Sequence, residues 1–124
     1  MKKISELTAR ILLAQIFFLA GYSKIGGYEN TQGYMNAMGV PGELLPLVIL
    51  LELGGGLALI AGWKARWVSI ILALFTIAAA VLFHNDFSDQ MQLIMFKKNI
   101  AIAGGLILLA VYGAGTYSID RWQR

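Results

Sequence analysis

The charges in this chain of 124 residues fall in short clusters. Between the clusters run four apolar stretches of about twenty residues each, the length a helix needs to cross a hydrocarbon core of about 30 Å. The runs extend over about 7–25, 44–63, 67–84 and 99–119. Arg10 and Lys24 near the ends of the first run are compatible with a span because long basic side chains snorkel to the interface. With 58% hydrophobic and only 14% charged residues, too few charges exist to coat a water-soluble globule. The expected fold is an all-α membrane protein, a four-transmembrane-helix bundle with short amphipathic outer-loop helices, and residues 1–124 form one domain. Lys2 and Lys3 before an apolar stretch resemble a signal peptide, but Phe18, Leu19 and Ala20 offer no small-x-small cleavage site, so the first helix is expected to be retained.

Four spans put the N-terminus, the Lys64 to Arg66 loop and the C-terminus on one side. That side holds Lys2, Lys3, Arg10, Lys64, Arg66, Arg121 and Arg124, seven of the ten basic residues. The excess of Lys and Arg there predicts cytoplasmic termini. Because the cations lie in twos and threes beside spans, the net charge of +3 reads as topology and not as a nucleic-acid surface.

In the first outer loop a short helix is predicted over Thr31 to Met38, capped by Asn30 or Thr31, with Tyr34, Met35 and Met38 on its apolar face and Gly39 and Pro41 ending it. It is expected to lie on the outer membrane surface. In the second, Phe87, Met91, Ile94 and Met95 suggest an amphipathic lead-in to the fourth span. Small residues at four-residue spacing (Gly54, Ala58 and Gly62; Ala101 and Gly105), together with the Gly54-Gly55-Gly56 run, predict close helix packing. Trp63, Trp67, Tyr28 and Tyr117 near span ends suit the headgroup region.

Glu52 is the residue that most demands an explanation. It lies eight positions after Leu44, about 12 Å along the helix, where a bare carboxylate is costly. Either it is protonated, or it faces the bundle interior and pairs with a cation. Lys24 and Arg10 approach from opposite sides, each about 10 Å off in depth by helical rise, and the sequence does not choose between them. Lys24, Glu52, His84, Lys98 and Asn99 together make a polar pocket in the outer half, able to hold an anionic or quinone-like headgroup or to relay a proton. The plainer alternative is an ion-pair network that fixes helix register. His84 is the sole histidine, and with Asp86 and Asp89 it makes only a weak metal set, so no metal centre is expected. With no cysteine there is neither a disulfide nor thiol redox chemistry.

Arg10, Gly21-Tyr22-Ser23-Lys24, Tyr34-Met35, Met38-Gly39-Val40-Pro41, Glu52 before three glycines, His84, Lys98-Asn99 and Gly104-Gly105, in this order and spacing, resemble the DoxX family of small bacterial inner-membrane proteins. The resemblance runs along nearly the whole chain and marks the same positions: Arg10, Lys24, Glu52, His84, Lys98 and Asn99. It implies an inner-membrane protein of a family whose name is tied to a quinone-linked oxidoreductase acting on sulfur compounds. Since this chain has no thiol, an accessory or quinone-docking subunit fits better than a complete enzyme, with a membrane quinone as ligand and a redox partner or a further copy of itself beside it in the bilayer. Two alternatives stand: a small proton-coupled exporter in which Glu52 alternates between a proton and a cationic substrate, and a scaffold that binds no ligand.

Overall fold

In the computed structural model, residues 2–83, 88–115 and 117–122 are described. Their elements are α1 (Lys2–Gly26), α2 (Tyr28–Ala37), a 3-10 turn (Gly42–Leu44), α3 (Leu45–Ala61), α4 (Ala65–Phe83), α5 (Gln90–Tyr112) and a terminal turn, α6 (Ile119–Trp122). Among the described residues, α1, α3 with its leading 3-10 turn, α4 and α5 are long and apolar enough to cross a membrane. Exposed leucines such as Leu12, Leu50, Leu74 and Leu108 give these helices the outward apolar faces that lipid requires.

The bundle is built from two tightly packed pairs, α1 on α3 and α4 on α5. The first pair is set by glycine. A Cβ placed on Gly56 would come within 2.8 Å of the Phe18 backbone, and one on Gly21 within 2.9 Å of the Leu53 side chain. Residue numbers fall along α1 as they rise along α3, so the helices are antiparallel and nearly in backbone contact. Gly55 receives the buried Leu72 of α4, joining the two pairs. Gly54 faces open space, so the helix-packing surface uses Gly55 and Gly56, and of the expected Gly54-Ala58-Gly62 row Gly62 is in close contact with the chain end instead of with a helix. On α5, Gly105 makes only ordinary contact with Leu13, and Ala101 is exposed.

The fourth span is displaced from the expected 99–119. Asp89 caps α5, its side chain accepting from the Met91 N–H at 3.0 Å, and the helix then runs unbroken through Lys97 and Lys98 to Tyr112. The apolar lead-in is therefore the first turns of the same helix. Gly113, at φ 81°, ends it, which leaves Tyr117 in a loop beyond the helix end.

That loop forms a clasp across the end of the bundle bearing both termini. Arg10, 2% exposed, donates to the carbonyl oxygens of Ala114, of Tyr117 at 2.7 Å and of Ile60 at 3.3 Å. The Ile60 carbonyl belongs to the last turn of α3, which has no helical partner to satisfy it. Asp120 accepts from the backbone N–H of Lys64 at 2.6 Å and of Ala65 at 2.8 Å, and so caps α4 with a negative charge. Gly62, at φ 75°, turns the chain between α3 and α4 and packs directly against Ser118. Arg10 is thus a buried tie between α1, α3 and the chain end, and it does not snorkel.

The glycine geometry carries a direct expectation. Gly56→Ala should lower stability in detergent by about 1–3 kcal/mol through overpacking, whereas Gly54→Ala should be neutral or stabilising by up to about 1 kcal/mol. Thermal unfolding followed by circular dichroism compares the two. Arg10→Gln, which weakens three carbonyl contacts in a buried setting, should cost about 3 kcal/mol in the same assay.

Candidate functional site

At the end of the bundle opposite the clasp, the two helix pairs and α2 line a cavity of about 420 Å³. Its polar lining is Lys24 from α1, Thr31 and Tyr34 from α2, Glu52 from α3, Thr76 from α4, and Lys98 and Asn99 from α5. The remaining wall is apolar, including Ile16, Phe17, Val48, Phe75, Ala79, Phe83, Met95 and Ile102.

Glu52 reaches this cavity because it sits at the α1–α3 contact, where its Cβ is 3.2 Å from the position a Cβ on Gly21 would take. Lys24 lies one turn further along α1, about 4.5 Å by helical rise, which its side chain spans readily. Its Nζ donates to Glu52 Oε1 at 2.6 Å. The depth gap expected between these residues shrinks because the α1–α3 register sets Glu52 level with Gly21, only three residues before Lys24. Of the two cations that sequence could offer Glu52, the structure selects Lys24. Glu52 is 4% exposed, and this is an ion pair held in low dielectric, where the Coulomb attraction must offset the lost hydration of both groups.

Lys98 and Asn99 stand across the cavity on the second helix pair. Among the described residues neither has a hydrogen-bond or ionic partner, and Glu52 Oε2 accepts no hydrogen bond. Two ammonium groups against one carboxylate leave the described lining with one excess positive charge. The arrangement offers N–H donors from both helix pairs around an apolar slot, with the Glu52 carboxylate on the Lys24 side.

Thr31, Tyr34 and Met35 turn inward as a lid. The Tyr34 ring stacks on Phe83 with centroids 5.6 Å apart, its hydroxyl donates to the Phe83 carbonyl at 3.3 Å, and Met35 is buried. The lid is latched at Gly42, whose N–H donates to Asn36 Oδ1 at 2.8 Å and whose carbonyl accepts from Gln32 at 3.3 Å. The helix is the one expected in this loop, but it starts a turn earlier, at Tyr28 after Gly27, with no side-chain cap. Its apolar face covers the bundle. Periodicity reveals such a face but not whether lipid or protein covers it, which is why these lid residues were not legible as cavity lining.

Of the residues singled out by sequence, the cavity brings together Lys24, Glu52, Lys98 and Asn99. Arg10 does not line it; its charge is used at the clasp. His84 lies outside the described residues, as do Asp86 of the weak metal set and Phe87 of the expected lead-in. Among the described residues no group of three His, Cys, Asp or Glu side chains is close enough to hold a metal ion.

The DoxX family model matches residues 5–85. The chain is 52% identical over 124 residues to inner membrane protein YqjF of Escherichia coli (strain K12), covering 98% of this chain and 95% of that one. It is 32% identical over 122 residues to inner membrane protein YphA of the same organism, covering 93% and 87%. No solved structure matches the chain.

The ion pair sets up a stability cycle that separates packing from site chemistry. Lys24→Met alone strands a buried carboxylate and should cost about 3–5 kcal/mol, whereas the double variant Lys24→Met/Glu52→Leu should recover most of that loss. Unfolding in mixed detergent micelles measures the cycle, and additive single effects would show that the two groups are not coupled.

Proposed function

The chain belongs to the DoxX family, and from that premise we propose that it is an inner-membrane subunit that docks a quinone in the Lys24–Glu52 cavity and serves a partner oxidoreductase. The observation that carries the proposal is the pairing of an apolar slot of about 420 Å³ with donors on both sides of it. A quinone ring is flat and apolar with a carbonyl acceptor at each end, and the lining fits that pattern: Lys24 serves one end, and Lys98 with Asn99 the other. A bound quinone supplies two-electron, two-proton redox chemistry. Lys24 and Lys98 orient the ring through their ammonium N–H groups. Glu52, ionised opposite Lys24, would take up a proton at Oε2, the oxygen not engaged by Lys24, and the α2 lid covers one side of the slot. Electrons come from the partner, since the chain has no thiol to supply them.

The same geometry weighs against the exporter reading. Glu52 already holds a cation, and the excess positive charge of the described lining would repel a cationic substrate. The excess of basic residues on the side bearing the chain ends supports cytoplasmic termini, with the cavity in the outer half of the bilayer.

Protein extracted gently from its native membrane should carry isoprenoid quinone, detected by absorbance and mass spectrometry. Glu52→Gln, which removes the charge that holds Lys24 in place, should reduce its retention roughly tenfold, the equivalent of the charge-assisted hydrogen bond from Lys24 to the ring. Protein that is folded yet free of quinone would count against docking. The absence of cysteine makes topology simple to read: a cysteine at Asn30 should react with an impermeant maleimide on intact spheroplasts, and one at Arg121 only after permeabilisation.

A further inference from the structure

A second cavity lies at the opposite end of the bundle, beside the clasp, and the quinone proposal makes no use of it. It measures about 370 Å³ and is lined by Lys64, Arg66, Trp67, Asp120 and the chain at Gly113 to Gly115. The geometry points to a binding site for a phosphate group, of the kind carried by an anionic phospholipid, held between the Lys64 ammonium and the Arg66 guanidinium.

The charge arrangement favours an anion. Asp120 spends both carboxylate oxygens on the backbone N–H groups of Lys64 and Ala65, and its charge is directed at the start of α4. Among the described residues, no acidic group forms an ion pair with Lys64 or Arg66. Behind the cavity, Arg10 lies within electrostatic reach of both Asp120 and Glu6, so the region holds three cations against two carboxylates.

Both cations are positioned by packing. The Lys64 Nζ sits 5.1 Å from the centroid of the Trp63 ring, a cation–π distance. The Arg66 Nε lies 3.0 Å from where a Cβ on Gly113 would stand, so the turn that ends α5 leaves the room the guanidinium occupies. A planar guanidinium matches two phosphate oxygens at once, and a compact ammonium adds a point charge beside them.

Position selects the lipid. Lys64, Arg66 and Trp67 are exposed at the junction of two apolar spans, where Trp rings and basic side chains meet phospholipid headgroups. In such a site the exposed Trp67 ring would sit beside the acyl boundary while the cations reach the phosphate.

The test is native mass spectrometry of the full chain released from nanodiscs of phosphatidylglycerol and phosphatidylcholine, with inorganic phosphate titrated separately against tryptophan fluorescence. Wild-type protein should retain phosphatidylglycerol preferentially. Lys64→Gln and Arg66→Gln should each reduce that preference about fivefold, and together roughly twenty-five-fold. Lys97→Gln, on the far end of the bundle, should leave it unchanged, and an unaltered unfolding temperature shows that the variants are folded. Saturable binding of inorganic phosphate, lost in the double variant, would assign the site to a free anion. A preference that survives in the double variant, or no preference and no phosphate binding in wild type, overturns the proposal.

Discussion

A carboxylate in the middle of a membrane-spanning helix has to be neutralised from within the protein, because the surrounding hydrocarbon offers neither water nor counterion. Glu52 is in that position, and its bond with Lys24 at 2.6 Å supplies the partner. The bond depends on two glycines. Gly56 admits the Phe18 backbone and Gly21 admits Leu53, so α1 and α3 come close enough for a lysine one turn away to reach across. Close approach of backbones and burial of charge are here parts of one arrangement. Widening the helix crossing would separate the ions.

The two ends of the bundle solve different problems. At the terminal end, Arg10 and Asp120 are consumed by backbone groups of helix ends and of the loop after α5, and the chain is closed around them. At the other end, polar groups remain without partners among the described residues, and α2 folds over them as a lid latched at Gly42. Buried arginine at one end and donors facing an apolar slot at the other give the molecule a rigid base and a receptive mouth. The proposed function rests on the mouth because there Lys98 and Asn99 face the Lys24–Glu52 pair across the slot without partners of their own among the described residues.

The spans, their number and the importance of Glu52 were legible in the sequence because the bilayer constrains length and penalises charge so strongly. Partner choice was not: Lys24 and Arg10 looked equivalent when depth was counted from the ends of apolar runs, and only the α1–α3 register, which sets Glu52 level with Gly21, brings Lys24 within reach. The fourth helix was placed late because Lys97 and Lys98 read as an interface, whereas Asp89 starts the helix before them and Lys98 turns to the cavity. Gly54, Gly55 and Gly56 are indistinguishable by type; only the direction each faces makes the last two packing surfaces. Arg10 was offered to Glu52 by its depth on α1 and marked by the family resemblance, but its carbonyl partners are Ile60 of α3 and, about a hundred residues away, Ala114 and Tyr117 in a loop with no sequence signature of its own.

The most direct measurement is photo-affinity labelling of the folded protein in native membranes with an azidoquinone, the modified residues being mapped by mass spectrometry. The expected result is label on the lid and on the facing helix, at Met35, Met95 and their neighbours, reduced in Glu52→Gln. Label spread over lipid-facing residues such as Leu50, Leu74 and Leu108, and indifferent to that substitution, would contradict it.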